Sequence, residues 1–324
     1  MSNQNNLYVP IVTVYESRIQ VYERNLNRPA IKTKNNNREP KKMNNTYTGI
    51  MTKSGKKTIE RRLTAWLLAM ESYNNTRIHK YKTKPHKPVF ITLTLSDTQK
   101  HDDYFIKRNM LQVFLKDLNY NFGIVNYFWK AEKQKSGNIH FHILVDRFIE
   151  MGHIQEVWNR IQRKNGYTDK YQNEYGSHNP PSTHIEGQPS KGSICQYVMK
   201  YVSKHDSSQR VEGSVYRFSK SLLKIKPFSE IAMGSFADIL SRYLSDNKHK
   251  IYANDFCTTY YLNKSIIIDK LPKEFKKRIE NYYSEVYESI YHNQTSCADL
   301  PKKSHTVKSI AIQGKLFEES RYLG

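Results

Sequence analysis

Cysteine is scarce in this chain, and the little it has does not pair up. Cys195, Cys257 and Cys297 lie far apart and form no Cys-x-x-Cys unit. That argues against both a disulfide framework and a zinc ribbon, and suits a reducing cytoplasm. Long apolar runs are also missing. None approaches the roughly 18 residues of a membrane span, so no membrane partner is expected. The opening MSNQNNLYVP lacks the charged start and apolar core of a signal peptide. No G-x-x-x-x-G-K-[ST] occurs, so nothing suggests a nucleotide-driven helicase within the chain, and no internal repeat is visible. Acidic residues are few relative to basic ones.

That last shortage defines what is present. Lys and Arg number 52 against 30 Asp and Glu, a formal net charge of +22. Such an excess points to a polyanionic partner, most often nucleic acid, through phosphate neutralisation and counterion release. Tyr accounts for 24 residues. A basic, Tyr-rich chain suits single-stranded nucleic acid in particular, because phenol rings stack on unpaired bases. A merely alkaline protein would share the charge. The length allows one large domain or two smaller ones.

Taken in order, residues 7–22 alternate in part and are β-branched, which fits a strand or two. Residues 24–46 are rich in Asn, Lys and Arg, with Pro29 and Pro40, and read as a basic linker or arm. Ile59, Leu63, Trp66, Leu67 and Met70 then repeat at helical spacing, predicting a helix over about 56–73. Lys56, Lys57, Arg61 and Arg62 make its start basic. Either a solvated face or a DNA-facing helix accounts for them.

A compact α/β pattern follows. Val89–Leu95 predicts a strand, Tyr104–Leu118 a helix, Gly123–Gln134 a strand, Lys135-Ser136-Gly137-Asn138 a tight turn, and Ile139–Val145 the next strand. Glu150–Arg163 predicts a second helix, 166–181 a polar loop, 183–186 a short strand, and Val215–Phe218 an edge strand. The order strand–helix–strand–strand–helix–strand predicts a split βαβ, ferredoxin-like antiparallel sheet with helices packed on it, an α+β class. Further on, Ile231–Leu244 and Glu274–Tyr291 read as helices, with breaks at Pro272, Pro301 and 293–304. The chain divides on this reading into a basic extension (1–86), a central unit (87–228) and a mostly helical extension (229–324).

Two stretches carry chemistry. In Ser190–Asp206, which reads as one helix, Tyr197 and Tyr201 lie four apart on one face, each followed three residues on by Lys200 or Lys204. Phenols beside ammonium groups suit covalent attack on a phosphate; an amphipathic helix with half-buried Tyr and extended Lys is the plainer account. His140-Phe141-His142 interrupts an apolar strand. Residues at i and i+2 share a face, so both imidazoles can converge on one ion. The turn near Ser136-Gly137 places Glu132 or Gln134 opposite them. Two His and a carboxylate with open positions make a divalent-metal site, with Mg²⁺ or Mn²⁺ the expected ion. A polar sheet face with surface His is the alternative.

Phe90-Ile91-Thr92-Leu93-Thr94, then Glu132 with His140-x-His142, then Tyr197-Val198-Met199-Lys200-Tyr201-Val202-Ser203-Lys204 stand in order. Together these resemble motifs I, II and III of the HUH rolling-circle replication initiators, above all the two-tyrosine Rep proteins of small single-stranded DNA phages and related plasmids. The resemblance spans about residues 88–228 and includes Tyr216-Arg217-Phe218-Ser219-Lys220-Ser221-Leu222-Leu223, similar to a segment after the tyrosines in phage-type relatives.

The resemblance implies an HUH endonuclease domain. His140 and His142 would be metal ligands, with Glu132 at the position of the third, while Gln134 shares its strand face. Tyr197 would lead as nucleophile, Tyr201 would follow, and Lys200 and Lys204 would assist. DNA contacts are expected from Lys56, Lys57, Arg61, Arg62, Thr92, Thr94, Arg217 and Lys220. The implied reaction nicks single-stranded or hairpin origin DNA, leaving a 5′-phosphotyrosine and a free 3′-OH, and later rejoins it. A host helicase and polymerase in a bacterial cytoplasm are the implied partners. An HUH transposase or relaxase, or a non-enzymatic nucleic-acid-binding regulator, is the competing reading. The order of His pair before Tyr argues against a relaxase, and the doubled Tyr against a transposase.

Overall fold

The computed structural model describes residues 8–14, 18–25, 49–81, 85–186, 210–232, 234–246, 250–254, 257–261 and 272–295. In chain order the elements are β1 (Tyr8–Val14), β2 (Arg18–Asn25), α1 (Lys53–Tyr81), β3 (Val89–Thr94), α2 (Asp103–Phe105), a π-helical stretch (Ile106–Leu111), α3 (Gln112–Phe122), β4 (Tyr127–Lys133), β5 (Ile139–Val145), α4 (Met151–Lys164), α5 (Asp169–Tyr175), β6 (Thr183–Glu186), β7 (Tyr216–Phe218), a 3-10 turn (Leu222–Lys224), β8 (Phe228–Ile231), α6 (Ser235–Asp246), β9 (Lys250–Asn254), β10 (Cys257–Tyr261) and α7 (Lys273–Thr295). The fold is α+β, with two antiparallel five-stranded sheets. No described helix is long and apolar enough to cross a membrane.

The central sheet has the order β6-β3-β5-β4-β7, antiparallel throughout. Strands β3 and β4 run in the same direction with β5 between them, and β5 and β6 do the same around β3. This doubly split βαβ arrangement is the predicted ferredoxin-like order, with β7 added as an edge strand beside β4. The β4–β5 turn is closed by the Gln134 N–H donating to Asn138 O (2.9 Å) and the Gly137 N–H donating to Gln134 O (2.8 Å). Gly137 has φ +85°, which favours glycine at this position.

Alternation along the strands sorts the side chains. Ile91, Leu93, Trp129, Ala131, Phe141, Ile143 and Val145 form one core with Met110, Phe114 and Leu118 of the first crossover and Ile154, Trp158 and Ile161 of α4. The opposite face splits into two. At one end Phe90, Phe128, Leu144 and Phe218 join a second core with Ile59, Leu63, Trp66 and Met70 of α1, and Phe275, Ile279, Tyr283 and Tyr287 of α7. The helical spacing read in α1 is therefore its buried stripe. At the other end the strands carry Thr92, Thr94, Lys130, Glu132, His140 and His142.

The second sheet, β8-β1-β2-β10-β9, draws on both ends of the chain. The predicted strands of 7–22 form the hairpin β1–β2, and their neighbours β8 and β10 come from beyond residue 227. Helices make up most of the described residues after 229, as predicted, but three strands accompany them, and Phe228–Ile231 is a strand where the apolar spacing predicts the start of a helix. Likewise α5 occupies part of the predicted loop 166–181. The basic stretch 26–48 lies outside the described residues.

The C-terminal helix is tied to the central sheet by one buried bond. Tyr287 donates its hydroxyl proton to Asp146 Oδ2 (2.8 Å), just past β5, where Asn126 Nδ2 also donates (2.8 Å). Both Tyr287 and Asp146 are fully buried. Tyr287→Phe keeps the ring and removes the donor, so it should cost about 1–3 kcal/mol of stability, read by urea denaturation.

Candidate metal centre

The register of three strands builds the polar half of the face. Thr94 pairs with His140 and His140 with Glu132; one step along, Thr92 pairs with His142 and His142 with Lys130. Residues directly opposite one another share a face, so β5 presents both imidazoles between threonines on one side and a charged pair on the other. Glu132, His140 and His142 bring one ligand atom each within 4.8 Å of one another, a group that could hold a metal ion.

The donor set fits such an ion. His142 Nε2 lies 2.9 Å from Glu132 Oε1, and its Nδ1 lies 3.4 Å from Thr92 Oγ1. His140 Nδ1 lies 3.1 Å from Thr94 Oγ1. The two rings meet edge to face with centroids 4.6 Å apart. When a threonine hydroxyl accepts from Nδ1–H, the opposite nitrogen Nε2 is left to coordinate. Lys130, nearly fully buried, donates to the other carboxylate oxygen, Glu132 Oε2, at 2.7 Å.

The electrostatics favour ligation at neutral pH. Burial, with the neighbouring His142 in support, pushes the His140 imidazole down to about 4, so it is neutral and able to ligate. Burial acts to raise Glu132, but the hydrogen bonds from His142 and Lys130 outweigh it and hold the carboxyl at about 2. The site therefore keeps a carboxylate and a neutral imidazole together, the state a cation needs.

The choice left open between Glu132 and Gln134 falls to Glu132, whose carboxylate touches His142. Thr92 and Thr94, expected to contact DNA, have their hydroxyls at the imidazoles instead. Arg217 pairs with Trp129, which belongs to the helix-covered core, so its side chain leaves the sheet on the face away from the cluster. Lys220 is exposed in the turn after β7. On α1, Lys57 and Arg61 are exposed, Lys56 is half-buried, and the Arg62 guanidinium sits 5.6 Å above the Phe218 ring. Tyr197, Lys200, Tyr201 and Lys204 lie outside the described residues.

Three further residues share the site face without having been singled out by any sequence motif. Lys130 stands two before Glu132, Tyr216 pairs with Lys130, and His184 pairs with Thr92. The parity of Lys130 with Glu132 is readable locally. Tyr216 and His184 require knowledge of which strands pair.

Two outcomes test the centre. His140→Ala should abolish measurable Mn²⁺ binding in calorimetry, and Thr94→Val should weaken it about 10-fold or more, because the hydroxyl that orients the ring is gone. In EDTA, wild type should be more stable than Glu132→Gln at pH 6. A carboxyl held low in the folded state stabilises above its unfolded value near 4.5 and loses that contribution as pH falls toward about 2, so the gap should close over that window in urea denaturation.

No curated protein and no solved structure matches the chain. A family model does, and at a coarse level it carries a replication-initiator role and nuclease-type chemistry. Its span begins just before β3, takes in all three residues of the metal centre, and includes Tyr197, Lys200, Tyr201 and Lys204 in sequence. Residues 88–206 match the Replication-associated protein family of the ORF2 type, consistent with a family of rolling-circle replication initiators.

Proposed function

We propose that this chain initiates rolling-circle replication by nicking single-stranded origin DNA with Tyr197 and rejoining it at the end of the round. The observation that carries the reading is the convergence of Glu132, His140 and His142 within the segment of the family match. Bound there, Mg²⁺ or Mn²⁺ would supply Lewis-acid polarisation of a phosphoryl oxygen.

The chain's own residues account for the rest. Tyr197 Oη forms a bond to the scissile phosphorus as the P–O3′ bond breaks. The phenolic proton is lost to solvent, and the departing 3′ oxygen takes one up to become a 3′-OH. Lys200, three residues on, favours the phenolate as attack develops, since an unperturbed phenol titrates near 10. One phosphodiester is exchanged for one phosphotyrosyl ester, so rejoining needs no ATP. Tyr201, with Lys204 three residues on, repeats the step on newly made origin while Tyr197 still holds the old 5′ end.

The free 3′-OH primes a host polymerase, and a host helicase unwinds ahead of it, both in the cytoplasm of a bacterial host. The nick requires unpaired DNA, extruded as a hairpin or melted. The positive charge of the chain holds that strand through its phosphates, and exposed tyrosines through its bases.

The test is denaturing gel electrophoresis of the protein with Mn²⁺ and labelled single-stranded fragments tiled across the genome that encodes it. Wild type should yield a covalent adduct with one fragment. Tyr197→Phe and Tyr201→Phe should each retain some adduct, and the double variant none. Loss with Tyr197→Phe alone would make this a one-tyrosine initiator. Tight, salt-sensitive binding without any adduct would favour the non-enzymatic regulator.

A further inference from the structure

A buried carboxylate on the far side of the metal hairpin has no place in the chemistry above. Asp103 opens the first crossover helix and is only 2% exposed. Its Oδ1 accepts from Lys133 Nζ (2.6 Å) and Gln99 Nε2 (2.8 Å), and its Oδ2 accepts from the Glu212 N–H (2.9 Å). Burial acts to raise the carboxyl, but these three donors outweigh it and hold it below its ordinary value. A charge so deeply buried is costly unless every lone pair is used, and here separate segments of the chain converge to use them.

Two of those segments carry or adjoin the metal ligands. Lys133 follows Glu132 directly. Gln99 also accepts the Ile139 N–H through Oε1 (2.7 Å), and Ile139 precedes His140. The third segment, around Glu212, resumes the chain after the stretch that contains both tyrosines, with Tyr201 nine residues before Arg210.

That third segment is fixed from several directions. Lys107, in the π-helical stretch, donates to Glu212 O. Val211 is buried in the core beneath the sheet. Val215 O accepts from the Ala131 N–H of β4 at 2.8 Å. Gly49, with φ +69°, comes so close that a Cβ there would lie 2.7 Å from Val211 O. A π-helical stretch directly after Asp103 is a local irregularity of the kind that gathers at functional sites.

We propose that Asp103 is a positioning residue for the strand-transfer reaction: with Gln99, Lys133 and Lys107 it clasps the exit of the tyrosine segment to the two strands that hold the metal ligands. The clasp rests on the nicking function proposed above. It touches neither DNA nor ion. It sets where the nucleophile-bearing segment ends relative to the metal, and in-line attack is sensitive to that placement. A purely stabilising role would instead lower metal binding, DNA binding and rate together.

The experiment uses the full chain and the DNA fragment that wild type cleaves. Four quantities are compared in wild type, Asp103→Asn and Lys107→Met: single-turnover adduct formation with Mn²⁺, Mn²⁺ affinity, affinity for the fragment in EDTA, and melting temperature. Asp103→Asn should slow adduct formation about 10- to 100-fold, with both affinities within about threefold of wild type. Lys107→Met removes only the cap on Glu212 O and leaves no buried charge unpaired; it should show the same split at about 3- to 10-fold. Rates within about threefold of wild type in both folded variants overturn the clasp, as does a parallel fall in rate and both affinities. Should Asp103→Asn not fold, Lys107→Met decides alone. A wild type that forms no adduct sinks the nicking function and the clasp with it, whereas adduct formation unchanged in the variants sinks the clasp alone.

Discussion

The register of β5 between β3 and β4 is the constraint on which the rest depends. Side chains on a strand alternate strictly, so a slip of one residue would turn His140 and His142 into the helix-covered core and Phe141 outward. Two devices hold the register. The turn at Gly137 fixes how β4 and β5 meet. Asn138, almost fully buried, then ties that turn to the loop after β3, accepting from the Gln99 N–H (2.8 Å) and donating to Asp97 O (2.9 Å). All three strands of the metal centre are thus locked at one end, the end nearest the ligands. The apolar pairs Phe90–Leu144 and Leu144–Phe128 lock the other.

That apolar end explains why the chain invests in elements outside the matched segment. A five-stranded sheet covered by helices on one face still has to bury Phe90, Phe128, Leu144 and Phe218 on the other. Helices α1 and α7 do this, and they pack against each other, with an Arg77–Glu288 ion pair of 2.7 Å at their contact. The second sheet joins the same core through Val12, Val14 and Ile19. Its strands come from both chain ends, so the residues before 26 and after 227 form one structure around the sheet that bears the site. Covering only half of the face is what leaves the histidines accessible.

What the sequence makes legible follows from range. Strands β3 and β5 and the stripe of α1 are local patterns, and alternation alone places both histidines on one face. The carboxylate opposite them follows from counting back through a tight turn, although parity cannot separate Glu132 from Gln134; the hydrogen bond to His142 does. Pairings of distant segments are not legible. Nothing near Val12 announces Glu230, nor anything near Val21 Thr258, and β8 reads as the start of a helix because Ile231 fits the apolar spacing of 231–244. Thr92 and Thr94 read as DNA contacts, whereas their hydroxyls meet the two imidazoles. Asp103 and Gln99 carry no signal, because the role of a buried polar residue is set by the segments that meet there, and no local pattern encodes that meeting.

The charge arrangement of the centre bears on what it can bind. Lys130 is nearly buried and sits on Glu132 Oε2, which leaves Oε1 on the histidine side. A buried ammonium beside a metal site looks counterproductive, since it competes for the same carboxylate. It also neutralises that carboxylate, while His140 is neutral by burial. A divalent ion added to such a site keeps most of its charge uncompensated by the protein. A centre meant to store a cation would surround it with more carboxylates. One that leaves its charge exposed is suited to an anionic ligand, and a phosphodiester on a strongly basic protein is such a ligand. The same reasoning makes the Lys130–Glu132 pair part of the site's selectivity: without the lysine, the carboxylate would offset the ion and weaken its hold on phosphate.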